Sequence, residues 1–394
     1  YPVSSRFFWL RISLIPCLAI VNRMDTALVY IPALALLAAC EWRQLRWKQI
    51  LAGSLPLVAW LAFSLLYYGF PFPNTKYAKL ETGIERGEYF LQGLRYYQDL
   101  LIRDMPSFGL LVLGVGCTAT ALRRARTTGG DSRDGQLAAV GLGAILYCLY
   151  VIYVGGDFMS GRFVALPLLM FAWLYCASSA RQGRTTRQAI QILLVLGLAK
   201  LASYLIHPPA SYYEHHVVLW VNQQKNFYDG KTSLVAVEDG RLRWRSDAST
   251  YKWAQQGIEL RDRPPGETVT YGAVGLLGYY AGPQHRLIDE FGLADPLVAR
   301  LPTEFRRWVP QGYLPIGHFE RHVPEGYLHA RETGSTDRMD EDLAEYYRHL
   351  RQITQDETGL LDPRRLATIA RFNLGHYDPL LARYIARAEA KRIR

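Results

Sequence analysis

The stretch QILAGSLPLVAWLAFSLLYY, residues 49–68, carries no charged side chain over 20 positions. A helix of about 20 residues rises about 30 Å, the thickness of a bilayer's hydrocarbon core. One such run could be a buried helix of a soluble protein. Five more in the same half argue against that: DTALVYIPALALLAACE at 25–41, then 106–122, 136–154, 163–180 and 187–206, each nearly free of charge, with a shorter run at 7–21 that reads as a shortened or truncated span. The expected fold is a multi-pass α-helical membrane bundle of six or seven spans over residues 1–206, followed by a small α/β domain over 207–394.

Orientation follows from the short loops, because Lys and Arg accumulate on the cytoplasmic side. Loop 42–48 holds Arg43, Arg46 and Lys48; loop 123–135 holds Arg123, Arg124, Arg126 and Arg133; loop 181–187 holds Arg181, Arg184 and Arg187. These are alternate connections, so they share one side. The turn Asn22-Arg23-Met24-Asp25, segment 69–105, turn 155–162 and all of 207–394 are then expected outside the cytoplasm. In a bacterial cytoplasmic (inner) membrane this makes the C-terminal domain periplasmic.

Charge separates the two halves. The chain has 394 residues and a net charge of +10, with a mean hydropathy of -0.03 that hides the membrane segments. Residues 1–206 hold 20 basic and 10 acidic side chains, whereas 207–394 hold 25 of each. A neutral soluble half disfavours nucleic acid as a partner. The five cysteines, Cys17, Cys40, Cys117, Cys148 and Cys176, all lie in the first half, so the second has neither a disulfide framework nor a Cys-based zinc site. The chain opens at Tyr1 without a signal peptide, which reads as a fragment missing its N-terminus.

Several outer-face residues are candidates for chemistry. Gly155-Gly156-Asp157-Phe158-Met159-Ser160-Gly161-Arg162 joins two apolar runs with almost no linker. A carboxylate and a guanidinium at the bilayer edge are costly, so Asp157 and Arg162 either pair with each other or face a ligand. The ligand reading is preferred. Lys76 and Lys79, in NTKYAKL, share a helical face and could hold a phosphate, although interfacial lysines also snorkel to lipid head groups. Asn74 could hydrogen-bond a donor or an acceptor. Arg23 and Asp25 fall on the same expected side as supporting groups. Between these turns, Phe90, Leu94, Tyr97 and Leu101 are spaced as an amphipathic helix suited to the membrane interface or to packing under the soluble domain.

In the second half the pattern alternates strand LVAVE from 233, helix 248–260, strand 267–271, helix 273–281, strand 286–291 and a short helix at 295–301. A loop rich in proline follows, then helices at 340–356 and 377–393, the last basic enough to rest on anionic lipid or stand solvated. Parallel pairing is the expected topology. His215-His216 and His318-x-x-x-His322 lack a Cys or HExxH context, so no metal is expected.

Five segments, YYGFPFPNTKYAKL, VGGDFMSGRF, GLLGYYAG, RLIDEFGLADPLVARLP and IGHFERHVPEGY, resemble in order those of GT-C polytopic glycosyltransferases related to the mycobacterial terminal β-(1→2)-arabinofuranosyltransferase. The resemblance covers most of residues 20–330. It implies a GT-C bundle with an extracytoplasmic catalytic face. The implied reaction moves a sugar, arabinofuranose by that comparison, from a polyprenyl-phosphate donor to a cell-envelope glycan or glycolipid. The lipid phosphate sugar is then a substrate, and no cofactor is implied. In that family the catalytic aspartate lies in a first outer loop, which is expected upstream of Tyr1. Within the chain Asp157 is the remaining catalytic candidate, or it positions Arg162 or a sugar hydroxyl. Lys76, Lys79, Arg162 and Asn74 are the donor-binding candidates; Asp289, Asp295 and His318 could shape an acceptor groove or serve in turns. The competing class is a non-catalytic membrane protein, a lipid-linked sugar flippase or an envelope scaffold. A flippase would carry polar residues through its spans, whereas here they gather at the outer ends.

Overall fold

The computed structural model describes residues 5–127, 132–181, 186–206, 221, 251–303, 316, 319–355 and 359–393. The chain forms two compact units, Tyr1–Trp60 with Arg86–Gln223, and Leu61–Glu85 with Gln224–Arg394.

The first unit is helical: α1 (Phe8–Asn22), α2 (Ala27–Glu41), most of α3 (Trp47–Tyr68), which passes into the second unit, and later α5 (Arg86–Arg103), α6 (Met105–Thr127), α7 (Ser132–Tyr153), α8 (Ala165–Arg181) and α9 (Thr186–Ile206). Helix α7 is the hub, packing against α2, α5, α6 and α8. Small residues let the backbones approach, as membrane helices require in the absence of a hydrophobic driving force between them. A Cβ on Gly143 of α7 would lie 2.1 Å from the Val29 carbonyl oxygen of α2. Leu51, Leu55, Leu169 and Val195 meanwhile face outward, an arrangement suited to lipid and hazardous in water.

Among the described residues, five helices are long and apolar enough to cross a membrane: Met24–Gln44, Trp47–Tyr68, Met105–Thr127, Arg133–Tyr153 and Arg162–Ser179. They coincide with five of the six expected spans, and the architecture is consistent with a polytopic membrane bundle. Residues 187–206 are helical as expected, but their apolar stretch, Ile190–Ala199, is shorter than a span. Lys200 interrupts it.

The second unit contains α4 (Asn74–Leu80), α10 (Lys252–Arg261), β1 (Thr268–Tyr271), α11 (Val274–Ala281), β2 (Arg286–Asp289), α12 (Tyr327–Thr333), α13 (Glu341–Thr354), α14 (Pro363–Asn373) and α15 (Asp378–Ile393). Strands β1 and β2 pair in parallel, with Thr268 opposite Arg286 and Tyr271 opposite Asp289. The β-α-β order that predicts parallel pairing thus produces it. The LVAVE strand, His215, His216 and His318 lie outside the described residues.

The core of this unit gathers Phe70, Ile288, Leu297, Tyr327, Leu343 and Tyr347. Asp340 caps α13 by accepting from the Asp342 and Leu343 amides at 3.1 and 3.3 Å, the use of an N-cap carboxylate. In the basic α15, Arg383 and Arg387 are exposed, as a solvated helix has them, and are also ion-paired. Arg383 contacts Asp342 at 2.5 Å, and Arg387 contacts Asp340 at 2.7 Å, so both pair with the acidic start of α13, where the helix dipole favours the carboxylates and the carboxylates hold the arginines.

Candidate functional site

The first unit brings four of the singled-out residues onto two connected turns. The chain leaves α7 through Gly155 and Gly156, both in the left-handed region at φ 83° and 74°. Such angles suit glycine. At Gly156 there is a second constraint, since a Cβ would lie 2.6 Å from the Tyr96 side chain. Gly156→Ala is therefore expected to destabilise the protein by about 1–3 kcal/mol, read as a lower melting temperature in detergent; an unchanged melting curve would contradict this packing.

Helix α5 clamps the turn. The Tyr96 hydroxyl donates to the Met159 carbonyl at 3.0 Å and accepts from the Phe163 amide at 3.1 Å. Asp99, fully buried, accepts from Ser160 Oγ at 2.6 Å and forms an ion pair with Arg103, whose Nε lies 2.9 Å from Oδ1. Burial pushes the Tyr96 phenol well above its ordinary range, so it stays a neutral hydrogen-bonding group. Between these anchor points the two charged residues diverge. The Asp157 side chain is 1% exposed and that of Arg162 is 50% exposed, with Nη1 3.4 Å from Asp157 Oδ2 and 3.4 Å from Met159 Sδ. That is long for a charge-assisted bond. Among the described residues, the Nε and Nη2 groups of Arg162 make no hydrogen bond. A fixed carboxylate thus positions a guanidinium that still has donors to offer.

The turn between α1 and α2 sits against the same place. Arg23 donates to both Asp25 oxygens, at 3.0 and 2.5 Å, and to the Tyr147 hydroxyl at 2.9 Å, while that hydroxyl donates to Asp25 Oδ2 at 3.0 Å. The Arg23 guanidinium lies 5.2 Å from the centre of the Phe163 ring. Arg23 and Asp25 form a closed triangle with Tyr147, a supporting contact for the residue that follows Arg162.

The other candidates belong to the second unit. Asn74 Nδ2 donates to the carbonyls of Gly292, Leu293 and Asp295 at 2.8, 3.2 and 3.2 Å, and its Oδ1 accepts from Arg300 at 3.4 Å. Its amide staples a turn. Asp289 accepts from the Phe291 and Ala294 amides at 3.0 and 2.9 Å, and Asp295 accepts from the Leu297 and Val298 amides, each at 2.9 Å. Burial raises both carboxyls above the usual range, opposed by those amides. Turn-building is what these contacts do. Lys76 contacts Glu81 at 3.3 Å and lies 4.8 Å from the Phe72 and Tyr77 ring centres, and Lys79 is half-buried on the same short helix.

Tyr96, Asp99, Arg103, Tyr147 and Ser160 were not legible as site residues. For Tyr96, Asp99 and Arg103 the signal lay in α5, where Tyr89, Gln92, Tyr96, Asp99 and Arg103 recur at spacings of three and four. The apolar stripe of that helix masks it: Phe90 is 54% exposed and Leu94 43%, while Tyr96 and Asp99 are each 1% exposed. In a bundle the polar face turns inward.

A family model described as a domain of unknown function, DUF8728, matches residues 240–371. Over 316 residues the chain is 27% identical to the terminal beta-(1->2)-arabinofuranosyltransferase of Corynebacterium glutamicum, a match covering 68% of this chain and 45% of that protein. The chain thus spans about half the length of this curated relative. No solved structure matches it. The relationship is distant.

Proposed function

We propose that the protein transfers a sugar from a polyprenyl-phosphate donor to a cell-envelope glycan or glycolipid, with arabinofuranose as the sugar, and that residues 155–163 receive the donor phosphate outside the cytoplasm. The observation that carries this reading is the half-exposed Arg162 guanidinium held at a buried Asp157 on a clamped turn beside apolar helices. A charged cluster at a bilayer edge is costly to keep without a ligand or a pathway. The distant relative supports the reaction class, and the basic loops at 42–48, 123–135 and 181–187 support the orientation.

In the reaction, the acceptor hydroxyl attacks the anomeric carbon, its proton passes to a carboxylate base, and the bond from that carbon to the phosphate oxygen breaks. Polyprenyl phosphate leaves with the electron pair. Arg162 stabilises the charge developing on that phosphate. Asp157 positions Arg162; buried against it, this carboxylate is not assigned as the base. Arg23, fixed by Asp25 and Tyr147, supports Phe163. Lys76 and Lys79, in the other unit, are not needed for this role.

Purified protein in proteoliposomes, given labelled polyprenyl-phosphate sugar and an envelope glycan, is expected to move label to the glycan and to release one polyprenyl phosphate per transfer. Movement of intact donor between leaflets without transfer would favour a flippase and overturn the proposal. A cysteine introduced at Gln44, in a background lacking the native cysteines, should be labelled in cells only after permeabilisation.

A further inference from the structure

Among the described residues of the second unit, three leucines are exposed, and all three flank α14: Leu360 at 48% and Leu361 at 70% precede it, and Leu374 at 81% follows it. A lone exposed leucine is ordinary on a soluble surface. What distinguishes these three is their place. The last turns of α3, from Leu61 onward, belong to the same unit. A helix leaves its final carbonyls without intrahelical donors, and α14 supplies donors to those of α3. Arg365, 3% exposed, donates from Nη1 to the Leu66 carbonyl at 2.6 Å and from Nη2 to the Tyr67 carbonyl at 3.1 Å. The same Nη1 donates to the Leu360 carbonyl at 3.2 Å. At the other end of α14, Asn373 Nδ2 donates to the Gly69 carbonyl at 2.9 Å. Both leucine-bearing ends of α14 are thus tied to the end of α3.

Helix α3 fixes the depth. Its 22 residues are long and apolar enough to cross a membrane, and such a helix, about 33 Å long, spans the hydrocarbon core with its ends in the head-group layers. Exposed aromatic rings mark both ends: Trp47 at the first, 64% exposed, and Tyr67 and Tyr68 at the last, 52% and 51% exposed. Such rings gather where a span meets the head groups. The carbonyls held by Arg365 and Asn373 lie at that last turn, so α14 lies at the level of a membrane surface. At this depth protein donors replace water on the α3 carbonyls, as a backbone close to lipid requires. An exposed leucine there reaches acyl chains. Arg364 and Arg371, exposed on the same helix, carry the charge that lipid phosphates attract.

We propose that residues 359–374 form a membrane-docking surface, with Leu361 and Leu374 seated in the lipid interface of the leaflet that holds the Tyr68 end of α3. The partner is the bilayer itself, and the surface stands independently of the transferase reading. The test places an environment-sensitive dye on a single cysteine introduced at Leu361, Leu374 or Glu332. The full chain, freed of its native cysteines, is reconstituted in vesicles of phosphatidylcholine and phosphatidylglycerol, and each labelled protein is required to melt within 2 °C of the parent in detergent. Glu332, exposed on α12, is the reference for water. At Leu361 and Leu374 the emission is expected to lie to the blue of that at Glu332. Quenching by a lipid carrying a nitroxide near its glycerol should be at least threefold stronger there, and quenching by aqueous iodide at least threefold weaker. Iodide quenching equal to that at Glu332, at either position, would put that leucine in water and overturn the proposal. Protection from both quenchers would put it under protein, a second copy if dilution in lipid removes the protection and this chain's own residues if it does not, and would overturn the proposal equally.

Discussion

Arg162→Ala is expected to lower sugar transfer by about 10²–10³-fold, the usual effect of removing one preorganised group that stabilises transition-state charge, while the protein still inserts and elutes as the parent does. The reason is the division of labour within the turn. The long 3.4 Å separation from Asp157 contributes little to holding the fold, whereas Nε and Nη2 of the half-exposed guanidinium make no hydrogen bond among the described residues. The loss should fall on kcat more than on KM, because an interaction that strengthens as the phosphate leaves acts on the transition state. Arg162→Lys keeps the charge without the planar fork and should recover only part of the rate. Transfer within twofold of the parent in Arg162→Ala would remove Arg162 from the mechanism.

The second large effect concerns stability. Arg321 is 3% exposed, and its guanidinium donates to four backbone carbonyls: Leu301 and Phe291 at 2.8 Å, Phe319 at 2.9 Å, and Ala78. One cation thus ties α4 to the segment after β2 and to its own chain neighbours. Replacing it with methionine keeps most of the volume and orphans those carbonyls, each worth about 1–3 kcal/mol when buried without a donor. Partial access of water limits the sum, so Arg321→Met is expected to destabilise by about 3–5 kcal/mol. For a unit of this size that lowers the melting temperature by about 10 °C. Arg321→Lys, reaching fewer carbonyls, should lie between the two. A shift below about 2 °C for Arg321→Met would contradict the clamp.

These two arginines mark what the sequence discloses and what it conceals. Residues 49–68 reveal a membrane helix because length and the absence of charge are sufficient signals by themselves. Asp157 and Arg162 were legible because charge between two apolar runs is conspicuous. Tyr96 and Asp99 were not, because α5 reads as an amphipathic helix and sequence alone does not say which face meets the bundle. Asn74 read as a polar group available to a ligand, and Asp289 and Asp295 as groove or turn residues; each satisfies backbone groups that only the folded turn brings near. Arg321 lay inside a recognised segment, IGHFERHVPEGY, but its partners are remote in sequence. Ala78 is 243 positions away. Helix α14 went unread even though Asp362-Pro363 is a normal start signal, with the Asp362 carboxylate accepting from the Arg364 and Arg365 amides at 2.8 and 3.1 Å.

The central claim is that residues 155–163 meet the donor's lipid phosphate, and cross-linking reads this contact directly. A polyprenyl-phosphate probe carrying a photoreactive group next to the phosphate, incorporated into membranes with the parent protein, is expected to label the peptide containing Gly155–Phe163. Unmodified polyprenyl phosphate should compete the label away, and Arg162→Ala should reduce it at least tenfold. Labelling that maps elsewhere, with this peptide unmodified and the competitor still effective, would contradict the account.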